Sequence, residues 1–180
     1  MVYVFLADGF EEIEAVTPID ILLRAGLTVK TVAVGANPVT GAHGIPITAD
    51  IDIGAVCLDE AELIILPGGM PGTKNLESSD AVRTFVRRAY EKHIPIGAIC
   101  AAPSILGHMG LLTGKNATCF PGFEDALEGA FVKEDSVVVD GSIITARGAG
   151  CAADFGFTLS ALLSGEETAA QLRRSMQYKD

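Results

Sequence analysis

The sequence predicts a doubly wound α/β domain, with a mostly parallel sheet and helices on both of its faces. Three observations support this prediction. Strand and helix patterns alternate along the whole chain, and the strand segments are continuous apolar runs, as strands buried on both faces are. The length of 180 residues suits one domain with a sizeable core. We therefore expect residues 1–180 to form a single domain.

The individual elements follow from apolar spacing and from turn residues. Apolar or β-branched runs predict strands at Val2–Ala7, Thr28–Val34, Leu63–Leu66, Pro95–Ile99, Val137–Val139 and Ile143–Ala146. Helical spacing predicts helices over Glu11–Ala25 and Asp80–Glu91, from Pro103 to near Gly110, over Ala152–Leu163 and from Glu166 onwards. Turn residues between Gly35 and Asp52 predict a small β excursion. In the first helix, Ile13 and Val16 are expected to point inward, with Glu14 at the border of the apolar face.

Composition excludes several classes of function. Thirteen basic and 23 acidic residues give a formal net charge of −10, which repels phosphate backbones and disfavours nucleic acid as a partner. The four cysteines lack the spacing of a zinc site or a disulfide scaffold, so we expect no metal, no cofactor and reduced thiols. The N-terminal segment lacks a basic region, and no apolar run approaches the ~18 residues of a membrane span. These features predict a cytoplasmic protein without a membrane partner.

Cys100 is the strongest candidate for a reactive residue. It follows a buried strand directly, and Pro103 can open the next helix, so Cys100 occupies a strand-to-helix corner like that of a nucleophile elbow. The helix N-terminus favours a thiolate there. Of the other thiols, Cys57 and Cys151 are expected to be core residues, and Cys119 is a candidate resolving thiol with an inert role as the alternative.

Two further segments are expected at the same edge of the sheet. Glu11, Glu12 and Glu14 open the first helix, and a partly desolvated carboxyl among them would keep its proton and donate a hydrogen bond to a thiolate. Spacing alone does not choose between the three. Gly68 and Gly69 follow another buried strand, where backbone N–H groups can form an oxyanion hole.

Four segments together resemble the ThiJ/PfpI superfamily, which has the flavodoxin-like fold of class I glutamine amidotransferases. The matching segments cover nearly the whole chain in order; they are Glu11-Glu12-Ile13-Glu14, Leu66-Pro67-Gly68-Gly69, Ala98-Ile99-Cys100-Ala101-Ala102-Pro103 and Ile144-Thr145-Ala146-Arg147-Gly148-Ala149-Gly150. Ala149 replaces the usual proline of the last segment. Within the superfamily, the chain is most similar to the branch of the Parkinson disease protein and YajL.

The resemblance implies a role for each matching residue. Cys100 would be the nucleophile and redox-sensitive thiol, and Glu14 its protonated partner. The backbone N–H groups of Gly68, Gly69 and Ala101 would be the amide donors. The resemblance also implies a homodimer, in which Arg24 and His43 would belong to an anion site near the subunit boundary. We expect the helix N-terminus and a hydrogen bond from protonated Glu14 to lower the pKa of the Cys100 thiol to roughly 5–6.

Phe120 is the main departure from the family pattern, because several members have a histidine at this position, before a proline. A Cys–His pair needs that histidine as general base, so an amidase or peptidase is the weakest hypothesis. The first hypothesis is a cofactor-free glyoxalase or deglycase that acts on small reactive aldehydes or on glycated proteins. The alternative is an oxidative-stress sensor or chaperone whose thiol is oxidised without turnover.

Overall fold

The computed structural model describes residues 1–178. Its main sheet has seven strands in the order β10-β11-β7-β6-β1-β2-β5. The strands, in chain order, are β1 (Val2–Leu6), β2 (Val29–Ala33), β3 (Val39–Thr40), β4 (Pro46–Ile47), β5 (Ile51–Asp52), β6 (Leu63–Leu66), β7 (Ile96–Ile99), β8 (Asn116–Ala117), β9 (Phe131–Val132), β10 (Val137–Asp140) and β11 (Ile143–Ala146). The helices are α1 (Glu12–Arg24), α2 (Gly72–Ser78), α3 (Asp80–Glu91), α4 (Pro103–His108), α5 (Ala152–Ser164) and α6 (Glu166–Ser175).

The sheet is parallel except at one edge, as predicted. β1 pairs in parallel with β2 on one side and with β6 on the other, whereas β10 and β11 form an antiparallel hairpin. Gly141 turns that hairpin at a φ of +62°, in the left-handed region that glycine adopts without steric cost. The predicted α/β fold is therefore confirmed.

The core lies on both faces of the sheet, because alternate residues of a strand point to opposite sides. On β1, Tyr3 and Phe5 pack with residues of α2, α3 and α4, whereas Val2, Val4 and Leu6 pack with residues of α1 and α5. Every residue of β1 is buried, which explains its unbroken apolar sequence. Among the described residues, none of the helices is both long and apolar enough to cross a membrane.

The predicted β excursion between Gly35 and Asp52 is present. It consists of a hairpin, β3 with β4, followed by β5, which joins the main sheet beside β2. Helix α2 and the short strands β8 and β9 were not predicted, since two-residue strands and a seven-residue helix carry too little periodicity.

The expected orientation of α1 is wrong. Ile13 and Val16 are exposed, whereas Glu14, Ala15 and Pro18 are buried. The buried stripe continues to Ile21 and Leu22 at helical spacing, so Glu14 lies within the stripe and not at its border. The sequence pattern misplaced the stripe because it treated the buried carboxyl as a polar boundary.

Candidate active site

Cys100 occupies a strained corner between β7 and α4. Its φ of +64° is unusual for a residue other than glycine and costs on the order of 1–3 kcal/mol. Two hydrogen bonds hold this conformation: the Cys100 N–H donates to the carbonyl of Ala146 at 2.9 Å, and the Phe120 N–H donates to the carbonyl of Cys100 at 2.8 Å. The side chain is partly exposed. The corner thus presents a thiol above the carboxyl end of the sheet, as predicted.

Glu14 is the carboxyl that the structure brings to Cys100. Its side chain is 1% exposed, and its Oε2 accepts a hydrogen bond of 2.9 Å from the Gly68 N–H. Gly68 lies between the two side chains, since a Cβ there would be 2.6 Å from both the Cys100 Cβ and the Glu14 Oε2. Geometry therefore distinguishes Glu14 from Glu11 and Glu12, which spacing did not, while its chemical role remains a prediction.

The electrostatics of this pair differ from the expectation. Burial raises the pKa of Glu14 to about 7, against the opposing effect of hydrogen bonds from Cys100 and Gly68. Burial and the neighbouring Glu14 charge also raise the pKa of the Cys100 thiol, to about 12. The predicted fall to roughly 5–6 is wrong for this arrangement. An ionised Glu14 repels a thiolate, and α4 has only six residues, so its dipole opposes that repulsion weakly.

The three backbone N–H groups expected at the site are directed to two different side chains, Cys100 and Glu14. The N–H groups of Gly69 and Ala101 hydrogen-bond to the Cys100 sulfur and favour its charged form, although burial outweighs them. Gly68 was predicted as a third donor to the substrate oxygen, but its N–H is directed to Glu14. In this geometry Gly68 orients the carboxyl, which leaves Gly69 and Ala101 as the donors beside sulfur.

The β6–α2 loop requires glycines because its backbone lies close against the segment that leads into α1. The Glu11 N–H donates to the Gly68 carbonyl at 2.9 Å, and the Gly72 N–H donates to the Gly9 carbonyl at 3.0 Å. A Cβ on Gly69 would lie 2.4 Å from the Glu11 nitrogen, which no side chain can accommodate. The loop after β6 is therefore fixed against the segment that leads into α1, and Glu14 is held in register with Cys100.

Glu12 has a structural role that sequence reasoning missed. Its Oε1 accepts the His43 N–H at 2.9 Å, and its Oε2 lies 2.9 Å from the His43 Nδ1, so it anchors the β3–β4 turn to α1. Burial raises the pKa of Glu12, but its hydrogen bonds with the His43 side chain and with the backbone of Glu12, His43 and Ile45 together outweigh this and lower it. The same contact, together with the charge of Glu11, raises the pKa of His43.

Glu11, Glu12 and His43 also offer three possible metal-ligand atoms within 4.8 Å of one another. The imidazole already pairs with both carboxylates, at 2.9 Å to Glu12 and 3.6 Å to Glu11. A protonated His43 neutralises part of their charge without a metal ion.

The predicted anion site is not assembled within one chain. Arg24 is exposed at the C-terminal end of α1 and pairs with Asp20 at 2.7 Å. His43 contacts Glu12 at the other end of that helix, about 18 Å along the axis for twelve residues. A shared anion site would thus need residues from a second copy of the chain, and the predicted role of Arg24 and His43 stays a prediction.

The remaining thiols occupy different environments. Cys119 is buried, unlike the partly exposed Cys100, which limits its access to oxidants and to a second thiol. Burial followed by the charge of Glu124 raises the pKa of its thiol to about 11, and its resolving role stays a prediction. Cys57 is exposed, so its predicted place in the core is wrong; it lies at the start of a short 3₁₀ turn on the surface. Cys151 is partly buried at the start of α5.

Comparisons with known proteins identify the family to which the chain is similar. Residues 1–162 match the model of the DJ-1/PfpI family. Protein DJ-1 homolog B of Arabidopsis thaliana is 38% identical over 177 residues, which cover 94% of this chain and 39% of that protein. The chain thus spans about two fifths of that relative. Protein dj-1beta of Drosophila melanogaster is 32% identical over 176 residues, covering 96% of this chain and 94% of the relative. A protein of Pyrococcus abyssi named as a deglycase is 30% identical over 148 residues, covering 81% of this chain and 89% of the relative.

Solved structures show the same similarity. A DJ-1 superfamily protein from Salmonella typhimurium superposes with a TM-score of 0.94 at 34% identity, covering 99% of this chain and 98% of that one. Oxidised DJ-1 of Toxoplasma gondii superposes equally well, with the same TM-score, identity and coverage. The family match, the shared fold and the cysteine corner beside a buried glutamate lead to one conclusion: the chain belongs to the DJ-1/PfpI family.

Proposed function

We propose that this protein is a cofactor-free glyoxalase or deglycase, in which Cys100 attacks small reactive dicarbonyls or their adducts on proteins. The observation that carries the proposal is the position of the partly exposed Cys100 beside a buried Glu14 whose pKa is about 7. A carboxyl that titrates near neutral pH is well suited to accept and return a proton. The relative named as a deglycase supports the same assignment.

The first step joins the Cys100 sulfur to the aldehyde carbon. The proton of the thiol passes to ionised Glu14 as the S–C bond forms, so no free thiolate accumulates despite the thiol pKa of about 12. The electron pair of the carbonyl moves to its oxygen, where the Gly69 and Ala101 N–H groups donate. Glu14 then returns the proton to that oxygen and completes a hemithioacetal.

The later steps use the same carboxyl. With methylglyoxal, Glu14 removes the proton from the carbon bonded to sulfur, and a proton returns to the neighbouring carbon through an enediol. This internal redox rearrangement converts the hemithioacetal to a thioester of lactate. Water hydrolyses the thioester, releases lactate and regenerates the Cys100 thiol, so one water is consumed and no external oxidant or reductant is needed.

A second candidate function, an oxidation sensor, is favoured by one observation. Cys100 is partly exposed to solvent, so an oxidant can reach its sulfur. The N–H groups of Gly69 and Ala101 can then donate hydrogen bonds to an oxygen added at that sulfur. Peroxide treatment followed by mass spectrometry tests this function. Oxidation of Cys57 or Cys151 before Cys100 would contradict it.

We also propose that two copies of the chain associate through α1. Ile13, Val16 and Leu23 are large apolar side chains exposed on that helix, and burial against a second copy would remove them from water. Sedimentation at micromolar concentration is expected to show a dimer, and a monomer would refute the proposal. The cytoplasmic location expected from the cysteine content remains a prediction.

The decisive experiment for the proposed enzyme measures the conversion of methylglyoxal to lactate. We expect turnover by the unmodified protein and none by Cys100→Ser, whose hydroxyl is a far weaker nucleophile. Cys57→Ser is the matched control, because it removes an exposed thiol and should leave turnover unchanged. Equal turnover by the unmodified protein and Cys100→Ser would reject the mechanism. No turnover by the unmodified protein, with rapid oxidation of Cys100, would favour the sensor.

A further inference from the structure

Phe120 borders the candidate active site through both its backbone and its ring. Its N–H donates to the Cys100 carbonyl at 2.8 Å, so the residue is tied to the nucleophile corner whatever side chain it carries. The residue is 47% exposed, so part of it contacts solvent. The Cδ2–Cε2 edge of its ring lies beside Gly148, in the turn that follows β11.

The ring of Phe120 and the carboxyl of Glu14 both lie near Gly148. A Cβ on Gly148 would lie 3.2 Å from Cδ2 of Phe120 and 3.9 Å from Oε1 of Glu14. Because Gly148 has no side chain, the ring and the Oε1 oxygen border the same small space. The other oxygen of that carboxyl, Oε2, accepts the Gly68 N–H. Phe120 is half-exposed, whereas Glu14 is buried, so the ring lies nearer to solvent than the carboxyl does.

We infer that Phe120 is a positioning residue whose ring shields the Oε1 side of Glu14 from water and thereby controls when Glu14 can take up a proton. This inference deepens the proposed function, in which Glu14 is the base that receives the proton of Cys100. Phe120 does not itself exchange a proton, since its side chain carries no titratable group. It acts through the solvation of Glu14.

Burial, and not the neighbouring charges, is the dominant influence on the pKa of Glu14. Burial is the largest cause of its raised pKa, ahead of the hydrogen bonds from Cys100 and Gly68 and of the charge of Glu11. Arg147 precedes Gly148, but its guanidinium donates to the carbonyl of Glu134 at 3.0 Å. Removal of the ring would admit water to a carboxyl held mainly by burial, so its pKa should fall from about 7 toward its ordinary value of 4.5.

The test compares three substitutions by two independent measurements. Phe120→Ala removes the ring, and Phe120→Leu replaces it with another apolar side chain. Phe131→Ala is the matched control, since Phe131 is an exposed phenylalanine on β9. The first measurement is an NMR titration of the Glu14 carboxyl carbon, which requires no substrate. The second is the pH dependence of methylglyoxal turnover.

We expect the Glu14 titration midpoint near 7 in the unmodified protein, in Phe120→Leu and in Phe131→Ala. In Phe120→Ala the midpoint should move toward 4.5, and the acid limb of the turnover profile should move with it, because a base must be ionised to act. An unchanged midpoint in Phe120→Ala would overturn the inference, as would an equal shift in Phe120→Leu. Absence of turnover in every protein, with the expected NMR shift, would reject the proposed enzyme but retain the shielding role of Phe120.

Discussion

Replacement of Glu14 by glutamine should stabilise the protein at neutral and mildly alkaline pH and abolish the proposed turnover of dicarbonyls. Burial raises the pKa of this carboxyl from an ordinary 4.5 to about 7 in the folded state. Between these two values the unfolded chain has lost the proton that the folded protein still holds. Unfolding therefore releases a proton, and the free energy of unfolding falls as the pH rises through this window.

The size of this change in the free energy of unfolding follows from the difference between the two pKa values of Glu14. A displacement from 4.5 to about 7 corresponds to roughly 3 kcal/mol of lost stability once the pH is above both values. The amide of the Glu14→Gln variant does not ionise, so the substituted protein should escape this loss. Its amide oxygen can still accept the hydrogen bond from the Gly68 N–H, which keeps the packing near Cys100 comparable.

Urea unfolding at several pH values from 4 to 8 measures the effect directly. We expect the free energies of unfolding of the two proteins to diverge by roughly 3 kcal/mol between pH 4.5 and pH 8, with Glu14→Gln the more stable. The range stays below pH 9, above which titration of the Cys100 thiol contributes. Glu91→Gln, which removes an exposed carboxyl, is the control and should show no divergence. A constant difference between Glu14→Gln and the unmodified protein at every pH would refute the reasoning.

Three other substitutions test the site and its surroundings. Gly68→Ala places a Cβ 2.6 Å from the Glu14 Oε2, so we expect loss of turnover and of roughly 1–3 kcal/mol in urea unfolding; normal turnover would contradict the assigned close approach. Glu12→Gln weakens the anchor of the β3–β4 turn and should speed proteolysis near His43, whereas unchanged cleavage would show that the anchor is dispensable. Val16→Asp puts a charge on the exposed face of α1 and should shift the proposed dimer toward monomer in sedimentation; an intact dimer would place the contact elsewhere.

The α/β fold and the location of the candidate nucleophile could be predicted from the amino-acid sequence alone. Buried parallel strands need apolar residues on both faces, so segments such as Val2–Leu6 are recognisable without knowledge of their neighbours. Likewise, a cysteine between a buried strand and a helix-opening Pro103 is a local pattern that predicts a corner. These features depend on residues adjacent in the chain.

Apolar spacing left three carboxyls as candidates and the resemblance implied Glu14, but contacts in the folded chain bring Glu14 to Cys100 and set how the pair titrates. Glu14 is buried because the α1 stripe at Pro18, Ile21 and Leu22 packs against the rest of the protein, and the resulting orientation exposes Ile13 instead. Hydropathy could not reveal this, since it scores every glutamate as polar. The raised pKa of the Cys100 thiol likewise depends on burial and on a charge 86 positions away in the chain, between groups that only the folded chain brings together.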